Sequence, residues 1–121
     1  MERKKLLLIM NPKSGTKQAA KYLADIISLY SGEGYTTSVL MTQKRGDARD
    51  WAEEYGGQYD RIIVSGGDGT FNEVADGILK LDKKPDIGYI PSGSTNDFAQ
   101  SVGLPKSIME AAERTINGRP T

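Results

Sequence analysis

Cysteine and histidine are both absent from the 121 residues. Without cysteine there are no disulfides, no thiol nucleophile and no thiolate metal site. Without histidine, neither a Ser-His-Asp triad nor an ordinary zinc centre can be assembled from this chain. Acid–base chemistry therefore falls to carboxylates, lysine or tyrosine. A catalytic metal would be a hard, oxygen-ligated ion, with Mg2+ the natural candidate. Net charge is missing too: 16 Lys and Arg balance 16 Asp and Glu. No broad basic field exists to hold nucleic acid, and Arg3-Lys4-Lys5 reads as a solvated strand entry. The longest aliphatic run, Leu6-Leu7-Leu8-Ile9-Met10, is too short to cross a bilayer or to form the core of a secretion signal. The cytoplasm is the expected compartment.

The length suits one domain with a real core. Apolar throughout, the Leu6 to Met10 run reads as a strand covered on both faces. Ala19, Leu23, Ile26, Ile27 and Tyr30 then mark one face of a helix ending near Gly32 and Gly34. A second strand is expected over 36–41, its Thr36-Thr37-Ser38 start suiting a place near the sheet edge. Ala48, Trp51, Ala52 and Tyr55 form the next helical stripe. Strands are expected at 61–65 and 87–90, a helix over 71–81, a short helical turn over 96–100, and a last helix from Pro105. Strict alternation of strand and helix predicts an α/β fold, a doubly wound, mainly parallel sheet with helices on both faces. In such sheets ligands bind beyond the carboxyl ends of the strands. The loops with unusual chemistry all follow strands: 11–16, 42–47, 65–70 and 91–97.

The most informative of these loops is Ser65-Gly66-Gly67-Asp68-Gly69-Thr70. Three glycines at a strand-to-helix corner let the backbone turn sharply and approach a ligand closely. The helix start offers N–H groups and positive dipole character to an anion. Asp68 places a carboxylate in that anion site, which is repulsive unless a cation or transferable proton lies between. The combination suggests phosphoryl transfer from a metal-bound nucleotide. An Asp-Gly hairpin turn is the simpler alternative, but a helical pattern rather than a second strand follows Thr70. Thr70 as N-cap and Glu73 three residues on fit a capping box.

Neither a Walker A run nor a GxGxxG dinucleotide fingerprint is present. Asn11-Pro12-Lys13-Ser14-Gly15 can set Asn and Ser side chains and backbone amides at a helix start, suiting phosphate or ribose. The simpler alternative is a loop with Ser14 or Thr16 as N-cap. Pro91-Ser92-Gly93-Ser94-Thr95-Asn96-Asp97 is a second loop rich in small polar groups. In it, Asp97 either joins Asp68 around a metal or water, or caps the turn after it.

Together these loops resemble the nucleotide-binding domain of the diacylglycerol kinase catalytic family, which includes bacterial lipid kinases and the sphingosine and ceramide kinases. The likeness rests on Asn-Pro-Lys-Ser-Gly at 11–15, Thr42 followed by Gly46-Asp47-Ala48, Gly-Gly-Asp-Gly-Thr at 66–70 running on to Asn72-Glu73, and Gly93-Ser94-Thr95-Asn96-Asp97-Phe98-Ala99. It implies an ATP-dependent lipid kinase using Mg2+, in which residues 1–121 hold the nucleotide. A later β-rich domain would complete the lipid cleft and supply the general base. By this resemblance the nucleotide contacts are Asn11, Pro12, Lys13, Ser14, Gly15, Thr42, Gly66, Gly67, Asp68, Gly69, Thr70, Phe71, Asn72, Glu73, Ser94 and Asn96. Asp68 and Asp97 would be catalytic, organising Mg2+ and water near the γ-phosphate. The implied partners are ATP, a lipid hydroxyl acceptor and, for the full-length enzyme, the inner membrane surface.

Two departures stand out. Asp47 occupies a position where many relatives carry His, and Ser94 one where Thr is common, although Ser94 keeps the hydroxyl. The chain also ends at Thr121, just after a predicted helix and where another strand is due, so it is expected to be part of a longer protein. NAD kinases use a similar Gly-Gly-Asp-Gly corner on a related fold, and a non-catalytic nucleotide-binding α/β module is the alternative from another class. The Asn-Pro-Lys-Ser-Gly and Gly-Ser-Thr-Asn-Asp-Phe-Ala loops favour the lipid kinases. The sequence selects neither the acceptor lipid nor an oligomeric state.

Overall fold

A computed structural model describes residues 4–12 and 23–91. Its elements are β1 (Lys4–Met10), α1 (Leu23–Gly32), β2 (Tyr35–Met41), α2 (Asp47–Tyr55), a 3-10 turn (Gly56–Gln58), β3 (Arg61–Gly66), α3 (Asp68–Ile78) and β4 (Asp86–Pro91). The strands form one sheet in the order β2-β1-β3-β4. Every pairing is parallel, with Leu8 opposite Val39 on one side and Ile63 on the other. The expected α/β architecture is therefore present. The turn expected at 96–100 and the helix expected from Pro105 lie outside the described residues.

Successive side chains of a strand point to opposite faces, and β1 divides its apolar run accordingly. Leu6, Leu8 and Met10 join Ile26 and Tyr30 of α1 in one buried cluster. Leu7 and Ile9 join Ala48 and Ala52 of α2 and Val74 and Ile78 of α3 in a second. Helices thus cover both faces, and all five residues from Leu6 to Met10 are fully buried. Burying each such aliphatic side chain stabilises the fold by about 1.5–3 kcal/mol, so β1 is the anchor of the sheet. β2 lies at the sheet edge, as its polar start predicts; only Tyr35 of that strand is buried.

On the second face, α2 and α3 approach closely because Gly77 has no side chain. A Cβ there would run into the carbonyl oxygen of Arg49 and stand 3.0 Å from the Ala52 Cβ. This crossing sets α3 relative to α2, and so sets the loop preceding each helix.

The start of α3 corrects the capping-box expectation. The helix begins at Asp68 with Gly67 as its N-cap, not with Thr70. Gly67 is extended (φ −89°, ψ −176°) and turns straight from β3 into the helix. Thr70 therefore falls inside the first turn, and its hydroxyl is directed at Asn11. Glu73 accepts a hydrogen bond from another loop instead of reaching back along its own helix.

Candidate functional site

The chain leaves β1 for β2 on one side of the sheet and then crosses to β3 on the other. The order reverses between β1 and β3, and open parallel sheets bind ligands at the carboxyl end of such a reversal. Asn11 follows β1 there, and Gly66 to Thr70 follow β3. The Asn11 backbone N–H donates to the Ser65 carbonyl at 2.8 Å. Its side-chain amide donates a long 3.5 Å hydrogen bond to the Thr70 hydroxyl. A Cβ on Gly66 would lie 3.0 Å from the Thr70 Oγ1 and 3.3 Å from the Asn11 Cβ. A larger residue would have to push these side chains aside, so glycine holds the corner close against β1.

Gly67 supplies no side-chain oxygen at the N-cap, so nothing there competes with a bound anion for the first-turn amides of α3. Asp68 opens that turn and is exposed to solvent, as is Gly69. Thr70 is buried, Phe71 half-buried and Asn72 exposed. The corner thus combines a concave backbone, amide donors and one solvent-facing carboxylate. That set can receive a phosphate together with a hydrated cation, since Mg2+ is usually held by one or two carboxylates plus substrate phosphates. Among the described residues no three carboxylates gather in a metal-holding group.

Thr42 extends the edge pairing of β2. Its N–H donates to the Met10 carbonyl at 2.8 Å, and the residue is buried. The loop after it is closed by the Asp47 carboxylate, which accepts from the N–H groups of Gln43 (2.8 Å) and Lys44 (3.1 Å). Gly46 takes the left-handed conformation, φ 97°, that favours glycine. Its N–H donates at 3.1 Å to the Glu73 carboxylate on α3. Glu73 therefore joins the loop after β2 to the helix behind the glycine corner. Asp47, where the resemblance leaves no role to carry over, acts as the staple of its own loop.

Tyr89, on β4, is the member of this site that sequence reasoning missed. Its hydroxyl lies 3.1 Å from the Gly66 carbonyl and 3.4 Å from the Asp68 Oδ1. Its ring meets that of Phe71, with centroids 4.9 Å apart and planes tilted by 47°. Burial raises the Tyr89 phenol above its ordinary pKa of 10.0, and the adjacent Asp68 charge and hydrogen bond add to the rise. The phenol is thus a proton donor throughout the neutral range. A tyrosine interrupting an aliphatic strand just before a polar loop was the available signal.

Pro12 follows Asn11 within the described residues. The structure brings together Asn11, Thr42, Gly66, Gly67, Asp68, Gly69, Thr70, Phe71, Asn72 and Glu73 along one edge of the sheet and the helix behind it. Lys13, Ser14, Gly15, Ser94, Asn96 and Asp97 lie outside the described residues. No helix among the described residues is long and apolar enough to cross a membrane.

Comparison with known proteins adds an independent line. Residues 5–121 match the family model described as the diacylglycerol kinase catalytic domain. Diacylglycerol kinase of Bacillus subtilis (strain 168) is 44% identical over 117 residues, covering 95% of this chain and 39% of that protein. Diacylglycerol kinase of Staphylococcus epidermidis (strain ATCC 12228) is 41% identical over 120 residues, covering 98% and 38% respectively. A solved diacylglycerol kinase structure from Bacillus anthracis str. Sterne superposes with a TM-score of 0.74 at 36% identity, covering 93% of this chain and 42% of that one. The chain spans about two-fifths of the length of these relatives.

Proposed function

This chain belongs to the diacylglycerol kinase catalytic family, and from that membership we propose that it is the nucleotide-binding part of an ATP-dependent lipid kinase. The reaction is transfer of the γ-phosphate of Mg-ATP to a hydroxyl of diacylglycerol or a related lipid. The observation that carries this reading is the glycine corner at the sheet reversal, where Gly66 is packed against Asn11 and Thr70 and Asp68 faces solvent. The kinase names of the relatives support the lipid group over an NAD kinase.

ATP, when bound, supplies the phosphoryl group and brings Mg2+ to neutralise developing charge. The chain's own part is positioning. Backbone amides of residues 67–70 and the dipole of α3 hold phosphate oxygens. Asn11 and Thr42 line the neighbouring strand ends, and Asp68 holds the cation through an oxygen or a water. Lys13, Ser14, Gly15, Ser94, Asn96 and Asp97 belong to the same proposed site by family resemblance, with Asp97 as a second carboxylate beside the cation. The general base is assigned to a further domain of the full enzyme. That enzyme is proposed to work in the cytoplasm and meet its lipid at the inner membrane face.

The test uses the enzyme that carries this chain, with γ-labelled ATP and diacylglycerol in detergent micelles. Label should pass to the lipid in the wild type, and Asp68→Ala should lower the rate by at least about a hundredfold, the scale of losing a preorganised charge-stabilising group. A folded wild type that labels no lipid, or an Asp68→Ala variant of normal rate, would contradict the assignment.

A further inference from the structure

Three attachments converge on the glycine corner from one residue outside it. Tyr89 stands on β4 opposite Val64 of β3, one strand away from the corner. From there its hydroxyl reaches the Gly66 carbonyl and the Asp68 carboxylate, and its ring rests on Phe71. The segment so gripped contains Gly66, Gly67 and Gly69, the residue type with most backbone freedom to lose. A phenol carries one proton, yet two acceptors face it here. The shorter contact, 3.1 Å to Gly66, and the longer, 3.4 Å to Asp68, must share that proton. The hydroxyl therefore holds Asp68 loosely, near the last carbonyl of β3, while leaving its second oxygen for another partner.

We propose that Tyr89 is a positioning residue that presents the Asp68 carboxylate to the cation accompanying a bound nucleotide. The inference rests on the nucleotide-binding reading above. When a cation takes up the second Asp68 oxygen, the phenol keeps its hydrogen bond to Oδ1, so the carboxylate is already ordered for the cation. The same hydroxyl stays on the Gly66 carbonyl, so the corner remains pinned as the cation arrives. Glu73 has no comparable role: its carboxylate is engaged by Gly46, on the side of α2.

Tyr89→Phe isolates this function, because the ring and its contact with Phe71 remain and only the hydroxyl is lost. Titration calorimetry on the enzyme carrying this chain, with ATP alone and with ATP plus Mg2+, separates the two possible roles. The gain in ATP affinity conferred by Mg2+ should fall by roughly three- to tenfold in Tyr89→Phe, the scale of one net hydrogen bond. Affinity for metal-free ATP should stay within about twofold. An unchanged Mg2+ gain would overturn the proposal. So would an equal loss with and without Mg2+, which would make Tyr89 a backbone prop only.

Amide hydrogen exchange without any ligand keeps this test apart from the nucleotide reading. Tyr89→Phe should accelerate exchange at residues 67–71, and unaltered exchange there would overturn the clamp itself. If the wild type bound no ATP while the clamp effect persisted, the nucleotide reading would fail, and with it the cation role given to Tyr89.

Discussion

At the scale of single residues, the end of the sheet that carries the proposed site also holds a group left unsatisfied by the described residues. The Ser65 hydroxyl, near the end of β3, is fully buried and has no hydrogen-bond partner among the described residues. A buried hydroxyl in that state costs about 1–3 kcal/mol, while an apolar replacement of similar shape can be neutral or better. Ser65→Ala is therefore expected to stabilise the protein by about 1 kcal/mol in urea denaturation. A loss of similar size would show that the hydroxyl has a partner. Residue identity was legible where chemistry is local: Asp68 among glycines declared itself in the sequence. Tyr89 did not, because its meaning depends on a register, Val64 opposite Tyr89, that only strand pairing creates. Ser65 was hidden for a similar reason, since a serine in a glycine-rich run looks exposed until the sheet closes around it.

At the scale of elements, the consequential contact is the one between the loop after β2 and α3. Thr70 and Glu73 have the spacing of a capping box, and local pattern alone gives no reason to doubt it. Gly67 overrides that pattern by starting the helix three residues before the expected start, which releases Glu73 to meet Gly46. Charged-acceptor hydrogen bonds contribute more than neutral ones, and this one is partly buried. Glu73→Ala should therefore cost about 1–2 kcal/mol of stability. Glu73→Gln keeps an acceptor oxygen and should recover more than half of that loss. Equal destabilisation by both variants in matched denaturant curves would mean that charge, not the hydrogen bond, is what matters. The strands and their faces were easier to read. β1 is apolar because both of its faces are covered, and β2 is polar at its start because it lies at the edge.

At the scale of the whole molecule, parallel pairing brings the loops after β1, β2 and β3 to one edge of the sheet, and the strand order places a reversal between β1 and β3. The alternation of strands and helices made the edge predictable, but not the order, which depends on which strands pair across the chain. The opposite edge is occupied by tying contacts instead of open amides. There Asp60 accepts from the Lys5 N–H at 2.7 Å, and Arg61 pairs with Asp86 at 3.6 Å. The proposed site therefore lies at the pole of the glycine corner. NMR titration of the isotopically labelled protein with Mg-ATP, and separately with NAD, measures this directly. Saturable amide shifts are expected at Asn11, Thr42 and residues 66–73 with Mg-ATP, with little change at Lys5, Asp60 and Asp86 and no comparable response to NAD. Shifts centred on the opposite pole, or tighter binding of NAD than of ATP at the same amides, would contradict that placement.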